Sequence, residues 1–104
     1  MGFFSSLFGM GNDSVNLAEL IKKGAFLVDV RTSGEFAGGS VKGAVNIPLD
    51  AIASNLKKFK GKENVIVFCR SGARSGQAKT LLNQNGIQNV YNGGAWDEVA
   101  RLVN

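Results

Sequence analysis

Histidine is absent from this 104-residue chain, and cysteine, proline, tryptophan and tyrosine each occur once. The missing imidazole removes Ser-His-Asp and Cys-His hydrolases, histidine metal sites and histidine acid–base catalysis together. A single cysteine forms no internal disulfide, and one Cys without any His makes no zinc cluster, so no metal site is expected. Charge is modest too: 19% of residues are charged against 44% apolar, the balance of an ordinary globular chain that folds as one domain.

The N-terminal segment "MGFFSSLFGMG" has no Lys or Arg before Lys22, no small-residue cleavage pattern and too few apolar residues to span a bilayer. It is therefore expected to be neither an export signal nor a transmembrane segment, and the expected location is cytoplasmic. Phe3, Phe4, Leu7, Phe8 and Met10 outline a short apolar face. We read residues 1–13 as an apolar tail docking on its own domain, which occupies residues 14–104.

What the chain does have is an excess of basic groups, with net charge +4. That excess points to an anionic substrate or partner. Its one local concentration, Lys57, Lys58, Lys60 and Lys62, lacks an alternating series of aromatic residues for base stacking. It reads as a solvated helix end, and no nucleic acid is expected as a partner.

Asn16 and Glu19 have the spacing of a capping box, Leu17, Leu20 and Ile21 mark one helical face, and Gly24 supplies a stop. "AFLVDV" at 25–30 is a near-continuous apolar run of the kind buried on both faces of a parallel sheet. "AVNIPL" at 44–49 reads as a second strand closed by the proline. Asp50 is placed to cap a helix carrying Ile52, Leu56 and Phe59 and ending at Gly61. "VIVFC" at 65–69 is the strongest strand. Ala78, Leu81 and Leu82 predict a helix stopped at Asn85-Gly86, "NVY" at 89–91 a last short strand, and Trp96, Val99, Ala100 and Val103 a closing helix. Strands and helices alternating in this way define a parallel α/β sheet covered on both faces.

In such sheets ligands bind beyond the carboxyl ends of the strands. Cys69 is the last residue of the strongest strand, and "RSGARS" leads from it into a helix. Gly72 lets the backbone curl so that the amides of Arg70, Ser71, Gly72, Ala73, Arg74 and Ser75 turn towards one point, and a helix N-terminus adds its own positive end. A thiol there is expected to ionise in the range of roughly 3.5 to 7.5 and to act as a nucleophile without a base. A free cysteine ending an apolar strand is ordinarily core, but Arg70 and Arg74 within five residues are not core residues. Arg74 is expected inside the cradle and Arg70 towards its entrance.

Spacing separates thiol chemistries. Tyrosine phosphatases and related arsenate reductases place five residues between Cys and Arg, a ring sized for a tetrahedral oxyanion. Here the arginine comes one residue earlier, at Arg74. The register "CRSGARS" resembles the active-site loop of rhodanese-like sulfurtransferases. "LVDVRTSGEFAGGSVKGAVNIPL" at 27–49 resembles that family's Asp-Val-Arg, Glu-Phe, Gly-Ala and Asn-Ile-Pro motifs, and "VYNGGAWDEV" at 90–99 its Gly-Gly and Trp ending. The likeness covers about residues 14 to 103, in family order. Ser40-Val41-Lys42-Gly43 stands where the family often has His-Ile-Pro-Gly.

The resemblance implies an α/β fold with a parallel sheet of four to five strands and helices on both faces. It also implies a sulfurtransferase of the thiosulfate:cyanide type that works through a Cys69 persulfide, takes a small anionic sulfur donor and a thiol, cyanide or protein acceptor, and needs no cofactor. A sulfur-carrier or regulatory protein-binding module is the alternative, with a low-molecular-weight phosphatase or arsenate reductase behind it. Asp29 and Arg31, two apart on one strand face, are expected to support the site as an ion pair. Gly93, Gly94 and Trp96 read as a turn and a core anchor packed behind the loop.

Overall fold

In the computed structural model, which describes residues 16–103, a four-stranded parallel sheet in the order β2-β1-β3-β4 separates two apolar layers. The strands are β1 (Phe26–Asp29), β2 (Val45–Asn46), β3 (Val65–Cys69) and β4 (Val90–Ala95). The helices are α1 (Leu17–Lys22), α2 (Ser33–Ala37), α3 (Ala73–Gln84) and α4 (Trp96–Val103). The apolar tail at residues 1–13 lies outside the described residues.

Alternation along the central strand divides the core. Val65, Val67 and Cys69 of β3 face a layer containing Ile52, Phe59, Ala78 and Leu82, whereas Ile66 and Phe68 face Leu17, Leu20, Ile21, Trp96 and Val99. One side is thus roofed by α3 and the segment 49–59, the other by α1 and α4. Every residue of β3 is buried, as its unbroken apolar run requires when both faces are covered.

Four expectations need correction. The strand expected over 44–49 pairs regularly only at Val45 and Asn46. Pro48 has no N–H to donate, and beyond Asn46 the chain is held by single bonds from Ile47 N–H to Asp29 C=O and from Leu49 N–H to Val30 C=O. The helix expected from Asp50 is two 3₁₀ segments, Leu49–Ala51 and Ala53–Lys58, entered after Pro48 without an Asp50 cap. Asn55 breaks the helical run at φ −126°, ψ 26°, its Nδ2 donating to Ala51 C=O at 2.8 Å. A side-chain amide that competes for a backbone carbonyl in this way displaces the regular ladder.

The last strand is longer than "NVY". It continues to Ala95 by way of a bulge: Val67 pairs with Asn92 but Phe68 with Gly94, so Gly93 is the extra residue. A Cβ on Gly93 would lie 2.9 Å from Val99 Cγ2 and 3.0 Å from Ile66 Cγ2. The glycine pair is therefore a strand irregularity that lets α4 pack closely, not a turn. Finally, α2 was not anticipated, although its signal stands in the sequence: Thr32 and Glu35 form a complete capping box.

Candidate active site at the Cys69 loop

Cys69 ends β3 at the carboxyl edge of the sheet, and residues 70–72 carry the chain into α3. Gly72 is the N-cap of α3, with φ +103°. That left-handed conformation is natural only to glycine, and it turns its own N–H onto the sulfur at 3.0 Å. One turn into the helix, Ser75 N–H reaches the same atom at 3.4 Å, and Ser75 Oγ lies 3.4 Å from it. Cys69 and Ser75 are both buried.

Burial alone would push the Cys69 thiol up. The amides of Ser75, Gly72 and Ser71 work against it, and the thiol is held below its ordinary value. Local backbone donors act most directly on the sulfur. Arg74 is clasped by Glu35, Nη1 to Oε1 at 2.8 Å and Nη2 to Oε2 at 3.1 Å. This contact, ahead of every other influence, raises the Arg74 guanidinium, and Arg74 with Thr32 lowers Glu35 to about 2. The Cys69 charge enters the Arg74 balance only as a smaller Coulombic contribution.

Arg70, Ser71 and Ala73 are exposed on the rim of the loop. Arg70 also borders a cleft of ≈ 480 Å³ whose other walls include Arg31, Glu35, Trp96 and Asp97. Arg74 sits deeper, only 34% exposed at its side chain.

Asp29 and Arg31 form the buried pair expected of them. Arg31 Nη2 lies 2.7 Å from Asp29 Oδ2, and Asp29 also accepts from Arg31 Nε, from Arg31 N–H and from Ser40 Oγ at 2.6 Å. Arg31 in turn donates to Gly39 C=O at 2.6 Å and lies 4.8 Å from the centre of the Trp96 ring. The hydrogen bond to Asp29 holds the Arg31 guanidinium above its ordinary value. These contacts tie the end of β1 to segment 39–40 and to α4. Ser40, noted above only as a departure in the family's His-Ile-Pro-Gly turn, is one of the clamp's donors.

Two partners of the loop were missed in the sequence. Glu35 is visible there only as half of a capping box. Asn92 carries no local signal at all, because its role depends on a cross-strand register: Oδ1 accepts from Ser75 Oγ at 2.7 Å and from Gly94 N–H at 2.9 Å, while Nδ2 donates to Gly72 C=O at 3.0 Å. No buried polar side-chain atom among the described residues lacks a partner. Nor does any group of three or more Cys, Asp or Glu among them come together as metal ligands.

A buried thiol at the carboxyl end of a central parallel strand, ringed by amides from a glycine-hinged loop, defines a class of cysteine-loop α/β domains. Residues 14–99 match the Rhodanese-like domain model, and the chain belongs to that family. It is 38% identical over 68 residues to the Bacillus subtilis protein YqhL, covering 65% of this chain and 54% of that one, so it spans about half the length of that relative. It is 37% identical over 82 residues to a sulfurtransferase of Allochromatium vinosum, covering 77% of each chain. Among solved structures, the Escherichia coli rhodanese with anions superposes with a TM-score of 0.66 at 33% identity, over 73% of this chain and 92% of that one.

Proposed function

We propose that the protein is a sulfurtransferase whose nucleophile is Cys69. The observation that carries this reading is the convergence of Gly72 N–H and Ser75 N–H on one buried sulfur. These groups favour a thiolate at neutral pH, and no general base is then needed to activate it.

The thiolate attacks the outer, sulfane sulfur of a donor such as thiosulfate or a persulfide. A bond forms between Cys69 Sγ and that sulfur, the donor's own S–S bond breaks, and its electron pair leaves with sulfite or a thiolate. The product is Cys69–S–S⁻. Amides along residues 70–75 stabilise the terminal charge as an oxyanion hole stabilises oxygen. A thiol, cyanide or a sulfur-accepting protein then attacks the outer sulfur, and the electron pair of the S–S bond returns to Cys69. Atoms and charge balance with no cofactor.

Arg70, exposed at the rim and bordering the cleft, supplies the attraction for an anionic donor. Arg74 acts differently, because its fork is already filled by Glu35. It fastens the loop and adds a field at the sulfur. Asp29 and Arg31 hold the adjoining backbone. A cytoplasmic location accords with this chemistry, and no helix among the described residues is long and apolar enough to cross a membrane.

The reading is tested by steady-state transfer from thiosulfate to cyanide with no other protein present. Turnover that disappears in Cys69→Ser supports it. Absence of turnover with every small donor and acceptor would favour the alternative of a carrier or regulatory module that works only on a partner protein.

A further inference from the structure

Ser75 has one hydroxyl hydrogen and two neighbours able to take it, Cys69 Sγ at 3.4 Å and Asn92 Oδ1 at 2.7 Å. The orientation of the Asn92 amide decides between them, and two backbone groups of opposite kind fix that orientation. Gly94 N–H requires an acceptor, which is Oδ1, and Gly72 C=O requires a donor, which is Nδ2. Reversing the amide would set N–H against N–H and oxygen against oxygen. Oδ1 therefore faces Ser75, and the short contact between them is a hydroxyl donating to an amide oxygen. With its hydrogen so placed, Ser75 Oγ presents lone pairs to the sulfur. That arrangement suits S–H, which donates to Oγ, and opposes S⁻.

We propose that Asn92 is a positioning residue that withholds the Ser75 hydroxyl hydrogen from Cys69. The thiolate then keeps the amides of Gly72 and Ser75 as its donors but not the hydroxyl, and a less hydrogen-bonded thiolate is the stronger nucleophile. The same geometry bears on the intermediate. Once Cys69 carries a second sulfur, the negative charge sits on the outer atom, Sγ is neutral, and the Oγ lone pairs no longer oppose it. Asn92 thus disfavours charge on the attacking sulfur while leaving it tolerated one atom further out.

The charged groups about the loop do not enter this competition. They are Arg70, exposed on the loop's rim, Arg74 of α3, clasped by Glu35 of α2, and the Asp29–Arg31 pair at the end of β1. Tyr91 of β4 belongs to the opposite face of the sheet from Cys69.

The proposal rests on the reading of Cys69 as the nucleophile, but its test needs no sulfur transfer, so the two fail separately. The rate of Cys69 alkylation by iodoacetamide is followed against pH in the full chain, in Asn92→Leu, in Ser75→Ala and in the double variant. In Asn92→Leu the freed hydroxyl turns to the thiolate, so the midpoint moves down by about one pH unit. The plateau rate there falls about threefold, because nucleophilicity follows basicity with a slope of ~0.4–0.5. In Ser75→Ala the midpoint does not rise, since the hydroxyl was not serving the sulfur. In the double variant the Asn92→Leu shift is gone. An unchanged or raised midpoint in folded Asn92→Leu, or a downward shift that survives in the double variant, overturns the proposal. If Asn92→Leu does not fold, Ser75→Ala alone decides: a midpoint raised by about one unit shows that the hydroxyl already donates to the sulfur and overturns it.

Discussion

Arg74 and Glu35 stand 39 residues apart in the chain and meet in a two-point ion pair that fastens the cysteine loop's helix to α2. The carboxylate also completes the cap of its own helix by accepting from Thr32 N–H at 3.0 Å. One side chain thus holds the start of α2 and the start of α3 together.

That double duty makes acid stability depend on Glu35. Its carboxyl lies at about 2 in the folded chain against an ordinary 4.5, held down first by Arg74 and then by Thr32. A depressed carboxyl contributes stability above its unfolded value and loses it as pH falls through the folded one. Urea midpoints of the unaltered protein should therefore fall more steeply between pH 4.5 and 2 than those of Glu35→Gln, which should be the less stable protein above that window. Parallel profiles would show that the pair contributes nothing to the fold.

The two arginines should separate kinetically. Arg70 is exposed and borders the cleft, so Arg70→Ala should raise KM for an anionic donor by roughly three- to tenfold, the effect of about 1 kcal/mol, with kcat nearly unchanged. Arg74→Ala removes the fastening to Glu35 and should lower kcat as well. Equal effects on KM and kcat in both variants would contradict the division of roles.

Glycine is required at two places for different reasons. Gly72→Ala must adopt φ +103° at the hinge of the cradle and should cost about 1 kcal/mol or more of stability, along with most of the transfer activity. Gly93→Ala forces a methyl against Val99 and Ile66 and should cost about 1–3 kcal/mol while leaving the loop's own residues in place. Chemical denaturation read beside activity distinguishes the strained hinge from the overpacked core.

Aryl phosphate should not be hydrolysed. Arg74 comes one residue too early for the phosphatase ring, and its fork is occupied by a carboxylate that a phosphate would have to displace. Measured release of the phenol at rates rivalling sulfur transfer would remove the reason for preferring sulfur chemistry over phosphorus.

Much of this was legible in the sequence because the signals were local. "VIVFC" announces a doubly covered strand, "CRSGARS" a curled loop, and Asp29 and Arg31 a pair on one strand face. The misses lie where tertiary contacts override local pattern. Ile52, Leu56 and Phe59 have helical spacing and two of them are fully buried, yet Asn55 and the proline entry give 3₁₀ geometry. "NGG" looks like a turn, and only the pairing of β4 with β3 makes it a bulge. Asn92 and Glu35 reach the loop from 17 and 39 residues away along the chain, as measured from Ser75 and Arg74, and no spacing rule within either segment points at the sulfur.

The most direct test of the account is the intact mass of the protein after mixing with thiosulfate and removal of the excess. The unaltered chain should gain the mass of one sulfur atom, located on Cys69 by fragmentation and lost again on adding cyanide. Cys69→Ala and Cys69→Ser should fold and gain nothing. A folded, unaltered chain that gains no sulfur from thiosulfate or from a persulfide donor, or one that gains it equally in Cys69→Ser, would contradict the assignment of Cys69 as the sulfur-carrying nucleophile.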